Sequence, residues 1–243
     1  MSKPTIGVLG SGPMGRGFAT LLAEAGYDVT LGTRRSGTPE LEELPHSVTV
    51  GSFRDAADRG DVVFIAVVHS AAKNLLSELD DLLAGKTLVS SNNAWLPEDY
   101  EAAGLSAELT EGSWMAAIVP RTNVVRAFSH MDWQYLVSKA THPGTYAVSY
   151  AADDPDSEAT VTSLIADMGF VPYRVGTLAE SAPLDVDGAL WHYLFTPEQM
   201  RATLTGTLIY SAGPFPPKLP EGASPAAVAA VARHSLPRDP GTH

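Results

Sequence analysis

The run Gly10-Ser11-Gly12-Pro13-Met14-Gly15 constrains the fold more than any other stretch of this 243-residue chain. It follows a short β-rich run, residues 5–10 (TIGVLG). It opens an apolar-periodic segment, residues 14–25, that predicts a helix closing at Gly26. A second strand is predicted at 28–31 (DVTL). A strand, a G-x-G-x-x-G run and a helix within one βαβ unit form the layout of a dinucleotide-binding turn. Gly10 allows the tight turn, Gly12 lets the backbone approach a pyrophosphate, and Gly15 lets the helix pack close to the strand. Ser11, Pro13 and Met14 complete the turn, and the helix N-terminus offers N–H groups and partial positive charge to the phosphates.

The second strand runs into Leu31-Gly32-Thr33-Arg34-Arg35. A site for NAD places an acidic residue here, where it accepts from the ribose 2′-hydroxyl. This chain places a hydroxyl and two guanidiniums instead. Charge-assisted hydrogen bonds contribute roughly 1.5–3 kcal/mol each. Thr33, Arg34 and Arg35 are therefore expected to hold a 2′-phosphate, which makes the expected cofactor NADP. Paired arginines stand out because the chain is acidic, with 16 Lys and Arg against 28 Asp and Glu and a net charge of −12. That balance also argues against nucleic acid and anionic membrane surfaces as partners.

Further strands are expected at 48–50, 62–68, 87–90, 124–128, 146–150 and 171–175, and helices at 72–83, 157–168 and 188–204. The continuous apolar run 62–68 (VVFIAVV) suits a strand buried on both faces. Strands alternating with helices predict an α/β fold built on a doubly wound parallel sheet. Residues 213–243 contain seven prolines, a composition that resists a packed core. The expected organisation is a nucleotide-binding domain over 1–212 with a small C-terminal helical elaboration, and a proline-rich tail over 213–243. The absence of cysteine excludes disulfide frameworks, zinc–thiolate sites and thiol nucleophiles. No apolar run approaches the roughly 18 residues of a membrane span. The N-terminal residues lack the features of a signal peptide, so the cytoplasm is the expected location.

In such sheets ligands lie outside the carboxyl ends of the strands. Three strand ends then become candidates: Ala66–Ser70, Ser90–Ala94 and Ala127–Met131. Val67, Val68 and His69 from the first, with Asn93 and Ala94 from the second, are expected to meet the ribose and carboxamide. Ser129 and His130 from the third are the catalytic candidates, since histidine exchanges a proton near neutral pH. Asp185, Asp187, Trp191 and His192 fall at the start of the last predicted helix. Asp153, Asp154, Asp156 and Glu158 read as a solvated cap before the 157–168 helix. No spacing of His, Asp and Glu makes a metal site.

These segments resemble the NADPH-dependent coenzyme F420 reductase family, which couples NADP to a deazaflavin. The likeness covers roughly residues 4–205. It rests on IGVLGSGPMGRGFATLLAEAGYDVTLGTRR, VVFIAVV, LAGKTLVSSNNAWL, VVRAFSHM and MGFVPYRVGTLAESAPL. The resemblance implies a Rossmann-type domain, usually a homodimer or higher oligomer, with Gly10–Gly15 on the pyrophosphate and Thr33, Arg34 and Arg35 on the 2′-phosphate. The chain departs from the family at Ser129-His130, where members often carry Asn-Thr, and at Asp187-Gly188 before Trp191. Both departures fall near the second substrate.

Three functions follow as expectations. The first is hydride transfer between NADPH and the deazaflavin coenzyme F420, with Arg121 and Arg126 as candidates for the basic patch its anionic tail needs. The second is an NADPH-dependent reductase of a small imine, enamine or carbonyl substrate. The third is a non-enzymatic NADP sensor. A β-hydroxyacid dehydrogenase fits less well, because its catalytic lysine has no counterpart between Lys139 and Lys218.

Overall fold

The computed structural model describes residues 3–35, 37–94, 109–186, 188–191 and 194–206. Its strands are β1 (Ile6–Leu9), β2 (Val29–Gly32), β3 (Val48–Gly51), β4 (Val62–Ile65), β5 (Thr87–Ser90), β6 (Asn123–Ala127), β7 (Ala147–Ala152) and β8 (Val171–Gly176). They form one sheet in the order β3-β2-β1-β4-β5-β6-β7-β8. Among these described strands, the β6–β7 pairing alone is antiparallel. The first six strands thus take the 3-2-1-4-5-6 order of a doubly wound, Rossmann-type sheet, with its switch point between β1 and β4.

Alternation within single strands explains why both faces carry helices. Val62 and Phe64 of β4 point into one apolar layer, and Val63 and Ile65 point into the other. The first layer packs Phe18 of α1 (Pro13–Glu24) against Phe64 and Phe128, with ring centroids 4.9 and 5.1 Å away. The second layer holds Leu76, Leu79 and Leu83, which come from α4 (His69–Leu83). Ala56 and Ala57 join it from α3 (Phe53–Arg59), and Trp114 and Met115 from α5 (Glu111–Ile118). The other α-helices among the described residues are α2 (Pro39–Glu42), α6 (Trp133–Ala140), α7 (Pro155–Asp167) and α8 (Pro197–Leu204), and two 3₁₀ turns, Leu178–Glu180 and Ala182–Leu184, follow β8. Asp154 caps α7 by accepting from the Ser157 amide.

Three sequence expectations need correction. The 62–68 run is not one strand: β4 ends at Ile65, and Ala66–Val68 leave the sheet as a connector into α4. That helix starts at His69 rather than at 72. The long 188–204 helix does not form. Only Pro197–Leu204 is helical, because Pro197 occupies its first turn and Thr196 with Gln199 builds a capping box there. The proline-rich tail lies outside the described residues.

Phe128 sits at φ 63, the one non-glycine residue at positive φ among those described. Such a conformation costs roughly 1–2 kcal/mol. Burial of its ring against Phe18, Phe64 and Phe170 offsets that cost. The kink breaks the strand after Ala127 and sends Ser129 and Met131 towards the carboxyl edge of the sheet.

Candidate dinucleotide and substrate site

Two cavities lie on that edge. The first, about 430 Å³, is walled by Gly10, Ser11, Gly12, Thr33, Arg34 and Arg35 on one side, and by Phe53, Asn74, Leu75 and Glu78 on the other. The second, about 590 Å³, is walled by Pro13, Met14, His69, Ser91, Asn92, Asn93, Ser129, Met131, Asp132 and Trp133. Both share Gly12 and Ala66–Val68, so they make one continuous trough across the switch point.

The glycine turn explains the middle of the trough. Gly10 has φ +123, and a Cβ there would overlap the Ala66 carbonyl oxygen. A Cβ on Gly15 would overlap the carbonyl oxygen of Gly10 itself. Gly12 differs: no atom lies within 4 Å of where its Cβ would be, so its missing side chain leaves open space rather than relieving a clash. Gly12 is also the N-cap of α1, and no side chain caps that helix. The first amides of a helix lack partners within it, so here they face an anion-sized opening. This geometry fits a pyrophosphate.

At the cationic end, the Ser11 and Thr33 hydroxyls meet at 2.7 Å, and Thr33 Oγ1 accepts from the Arg35 amide at 3.0 Å. Arg34 and Arg35 are exposed at the cavity edge. Thr33 therefore shapes the loop through its hydroxyl, and the two arginines supply the charge. The residues fit a 2′-phosphate.

Beneath the second cavity lies a group of charges that sequence reasoning missed. Arg126 on β6, a candidate for the basic patch of an anionic substrate tail, has instead a fully buried side chain. Its Nη1 donates to the Asn92 carbonyl at 2.6 Å, and its Nη2 to Asn93 Oδ1 at 3.0 Å and the Leu184 carbonyl at 3.3 Å. Its Nε lies 3.0 Å from Asp185 Oδ1, and Nη2 lies 3.5 Å from Glu111 Oε2. Glu111 in turn accepts from the Ala94 amide at 2.7 Å and faces His69 Nδ1 at 3.9 Å. Burial pushes the Asp185 carboxyl above its usual range, although the guanidinium pulls the other way. Asp185 also accepts from the Glu111 amide at 3.1 Å, which favours its charged form beside the guanidinium. The available signal was the position of Arg126 inside an otherwise apolar strand, where a charge needs partners.

The expected site residues fall into three groups. Gly10, Ser11, Gly12, Thr33, Arg34, Arg35, Val67 and Val68 line the first cavity, and Pro13, Met14, His69, Asn93 and Ser129 line the second. Gly15 and Ala94 act from behind the wall, one through packing and the other through its amide. His130 is fully buried, borders neither cavity, and pairs through Nδ1 with Ser149 Oγ at 2.8 Å. The His69 ring is likewise turned inward, its side chain 1% exposed and stacked on Trp114 at 4.6 Å. Arg121 is an exposed partner of Asp80. Asp185 does not start a helix, Trp191 is buried, and Asp187 and His192 lie outside the described residues. Met131, the last residue of the third expected strand end, lines the second cavity, and Trp133, 51% exposed on the rim, was not foreseen.

Residues 5–94 match the family described as NADP oxidoreductase, coenzyme F420-dependent. The metalloreductase STEAP3 of Rattus norvegicus is 30% identical over 183 residues, which are 75% of this chain and 36% of that protein. The chain spans about a third of the length of the curated metalloreductases it matches. A crystal structure from Arthrobacter sp. FB24, provisionally described as an F420-dependent NADP-reductase, superposes with a TM-score of 0.61 at 26% identity, covering 72% of this chain and 86% of that one. A hypothetical protein from Sinorhizobium meliloti gives a TM-score of 0.69 at 23% identity, covering 79% and 95%. Residues 5–94 are thus similar to a family of NADP oxidoreductases, on a Rossmann-like fold. No helix among the described residues is long and apolar enough to cross a membrane.

Proposed function

We propose that the protein is an NADP(H)-dependent oxidoreductase that exchanges hydride between its cofactor and a flat second substrate seated over Met131 and Trp133. The observation that carries this reading is the continuous trough. It runs from Arg34 and Arg35, past the uncapped N-terminus of α1, to the Asn92–Asn93 wall. When bound, NADPH supplies the hydride. The two arginines fix the phosphate end, Gly12 leaves room for the pyrophosphate, and the far wall orients the reacting ring. Met14, Met131 and Trp133 then offer an apolar face against which a second ring can stack.

A deazaflavin is the substrate we place first, because the family over residues 5–94 is described by it. Ring-to-ring hydride exchange depends mainly on alignment, with reacting carbons roughly 3–3.5 Å apart. It does not need His130 as an acid. A small imine, enamine or carbonyl substrate is the second reading. One observation favours it: the described lining of the second cavity contains Asp132 and no Lys or Arg. Neither Arg121 nor Arg126 is placed to receive the anionic tail of coenzyme F420.

The test is to mix the protein with NADPH and oxidised coenzyme F420 and follow 340 and 420 nm together. Coupled loss at both wavelengths supports the deazaflavin. NADPH binding without turnover moves the search to imines and carbonyls. Failure to bind NADPH removes the oxidoreductase reading.

A further inference from the structure

Asn92 ends the β5 connection with both of its ends held. Arg126 donates to its carbonyl at 2.6 Å, and its own Nδ2 donates to the Val67 carbonyl at 3.0 Å. That second bond fixes which way the amide faces. The residue is 4% exposed and lines the second cavity, yet its Oδ1 is buried without a hydrogen-bond partner. A buried acceptor left unpaired costs about 1–3 kcal/mol, so its persistence at a cavity wall signals a donor brought by a ligand.

We propose that Asn92 Oδ1 is the acceptor for the primary carboxamide N–H of the nicotinamide ring, and that Arg126 is the positioning residue that holds it there. This rests on the oxidoreductase reading and adds the group that fixes the orientation of the ring. Arg126 is suited to the role because its guanidinium is itself locked by Asp185, Glu111 and the Leu184 carbonyl. Through Asn93 Oδ1 it also steadies the neighbouring residue, whose Nδ2 donates to the Ser129 carbonyl at 2.7 Å. Two adjacent asparagines are thereby spent differently. Asn93 is bonded at both amide atoms and closes the wall, whereas Asn92 keeps one acceptor for the ligand.

The test compares binding of three probes by titration calorimetry on the full chain. 2′,5′-ADP reports the phosphate end alone, NADP⁺ carries the carboxamide, and its 3-acetylpyridine analogue replaces the amide NH₂ with methyl. The wild type should prefer NADP⁺ over the analogue by about 5- to 20-fold. Asn92→Ala should erase that preference while leaving 2′,5′-ADP affinity unchanged. Arg126→Lys keeps the charge but loses the planar fork, and it should reduce the preference to about a third. If Asn92→Ala does not fold, the wild-type comparison and Arg126→Lys still decide. A wild type that binds both dinucleotides equally, or a preference that survives in Asn92→Ala, overturns the proposal. A wild type that fails to bind 2′,5′-ADP overturns instead the oxidoreductase reading beneath it.

Discussion

The hydroxyls of Ser11 and Thr33 meet at 2.7 Å and tie the phosphate-binding turn to the loop that follows β2. One residue belongs to the turn and the other to the arginine loop, so the two halves of the nucleotide site share a hinge point. Arg34 and Arg35 extend beyond it at the cavity edge and make no contribution to the core. Arg34→Ala with Arg35→Ala should therefore leave the melting temperature unchanged and weaken NADPH binding by about 100-fold, on the strength of two charge-assisted bonds. NADH affinity should stay where it is. Fluorescence titration with both cofactors checks this, and an equal loss for both would sink the 2′-phosphate assignment.

The three glycines of the turn should separate under the same substitution. Gly15→Ala places a methyl group on the Gly10 carbonyl, so the α1–β1 contact must open and the melting temperature should fall by several degrees. Gly12→Ala meets no protein atom and keeps an ordinary φ of −67. It should fold as well as the wild type and bind NADPH at least 10-fold more weakly, because the methyl group occupies ligand space. Differential scanning fluorimetry with and without NADPH distinguishes the two. A Gly12→Ala protein that binds normally would show that the pyrophosphate lies elsewhere.

The turn was legible in the chain because it is local. Six consecutive residues dictate their own backbone, and Gly10 and Gly15 clash only with neighbours in the same unit or with the adjoining strand end. Arg126 was illegible for the opposite reason. Its partners Asn92, Glu111 and Asp185 come from three separate parts of the chain, and no local pattern announces that they meet. His130 shows a further limit. A histidine after a strand end suggests a reactive position, but the kink at Phe128 turns its ring inward to Ser149. Pro197 was visible all along, and the apolar residues before it outweighed a Thr-Pro-Glu-Gln capping signal that the fold obeys.

The inward ring of His130 leads to a prediction about rate. His130→Ala removes a fully buried side chain and its bond to Ser149, so it should cost about 2 kcal/mol of stability. At a temperature where the variant is folded, its turnover should be within about threefold of the wild type, and the pH–rate profile should keep its shape. Steady-state kinetics across pH 5–9 tests this. Loss of a limb from the profile would return His130 to the role of proton donor.

Asp167 gives a stability effect with a defined pH sense. Its carboxylate accepts from Tyr27 Oη at 2.7 Å and from Lys3 Nζ at 3.1 Å, joining the end of α7 to the start of the chain. The Tyr27 hydrogen bond, then the Lys3 contact, hold its pKa below the ordinary 3.8. A carboxyl depressed on folding contributes stability that is present above its unfolded pKa and lost as pH falls through the folded value. The side chain is 42% exposed, so solvent screening limits the effect to about 1 kcal/mol, or roughly 2–4 °C. Asp167→Asn should melt lower than the wild type by that margin throughout pH 5–8, and the gap should narrow below about pH 4. A constant gap down to pH 2.5 would show that packing, and not the charge, is responsible.

The charge group under the second cavity should respond as a unit. Arg126→Met leaves Glu111 and Asp185 facing each other with no cation between them, and breaking a buried pair in this way costs about 3–5 kcal/mol. Asp185→Asn on its own keeps an acceptor near Arg126 and leaves Glu111 facing the guanidinium, so its cost should be smaller, about 1 kcal/mol. Combined, the two substitutions should be less harmful than their sum, because the second removes one of the charges that the first strands. Urea unfolding of the two single variants and the double variant measures the coupling, expected at about 1–2 kcal/mol in favour of the double. Simple additivity would mean that Arg126 acts through its bonds to the Asn92 and Leu184 carbonyls alone, and that the two carboxylates are balanced by groups other than the guanidinium.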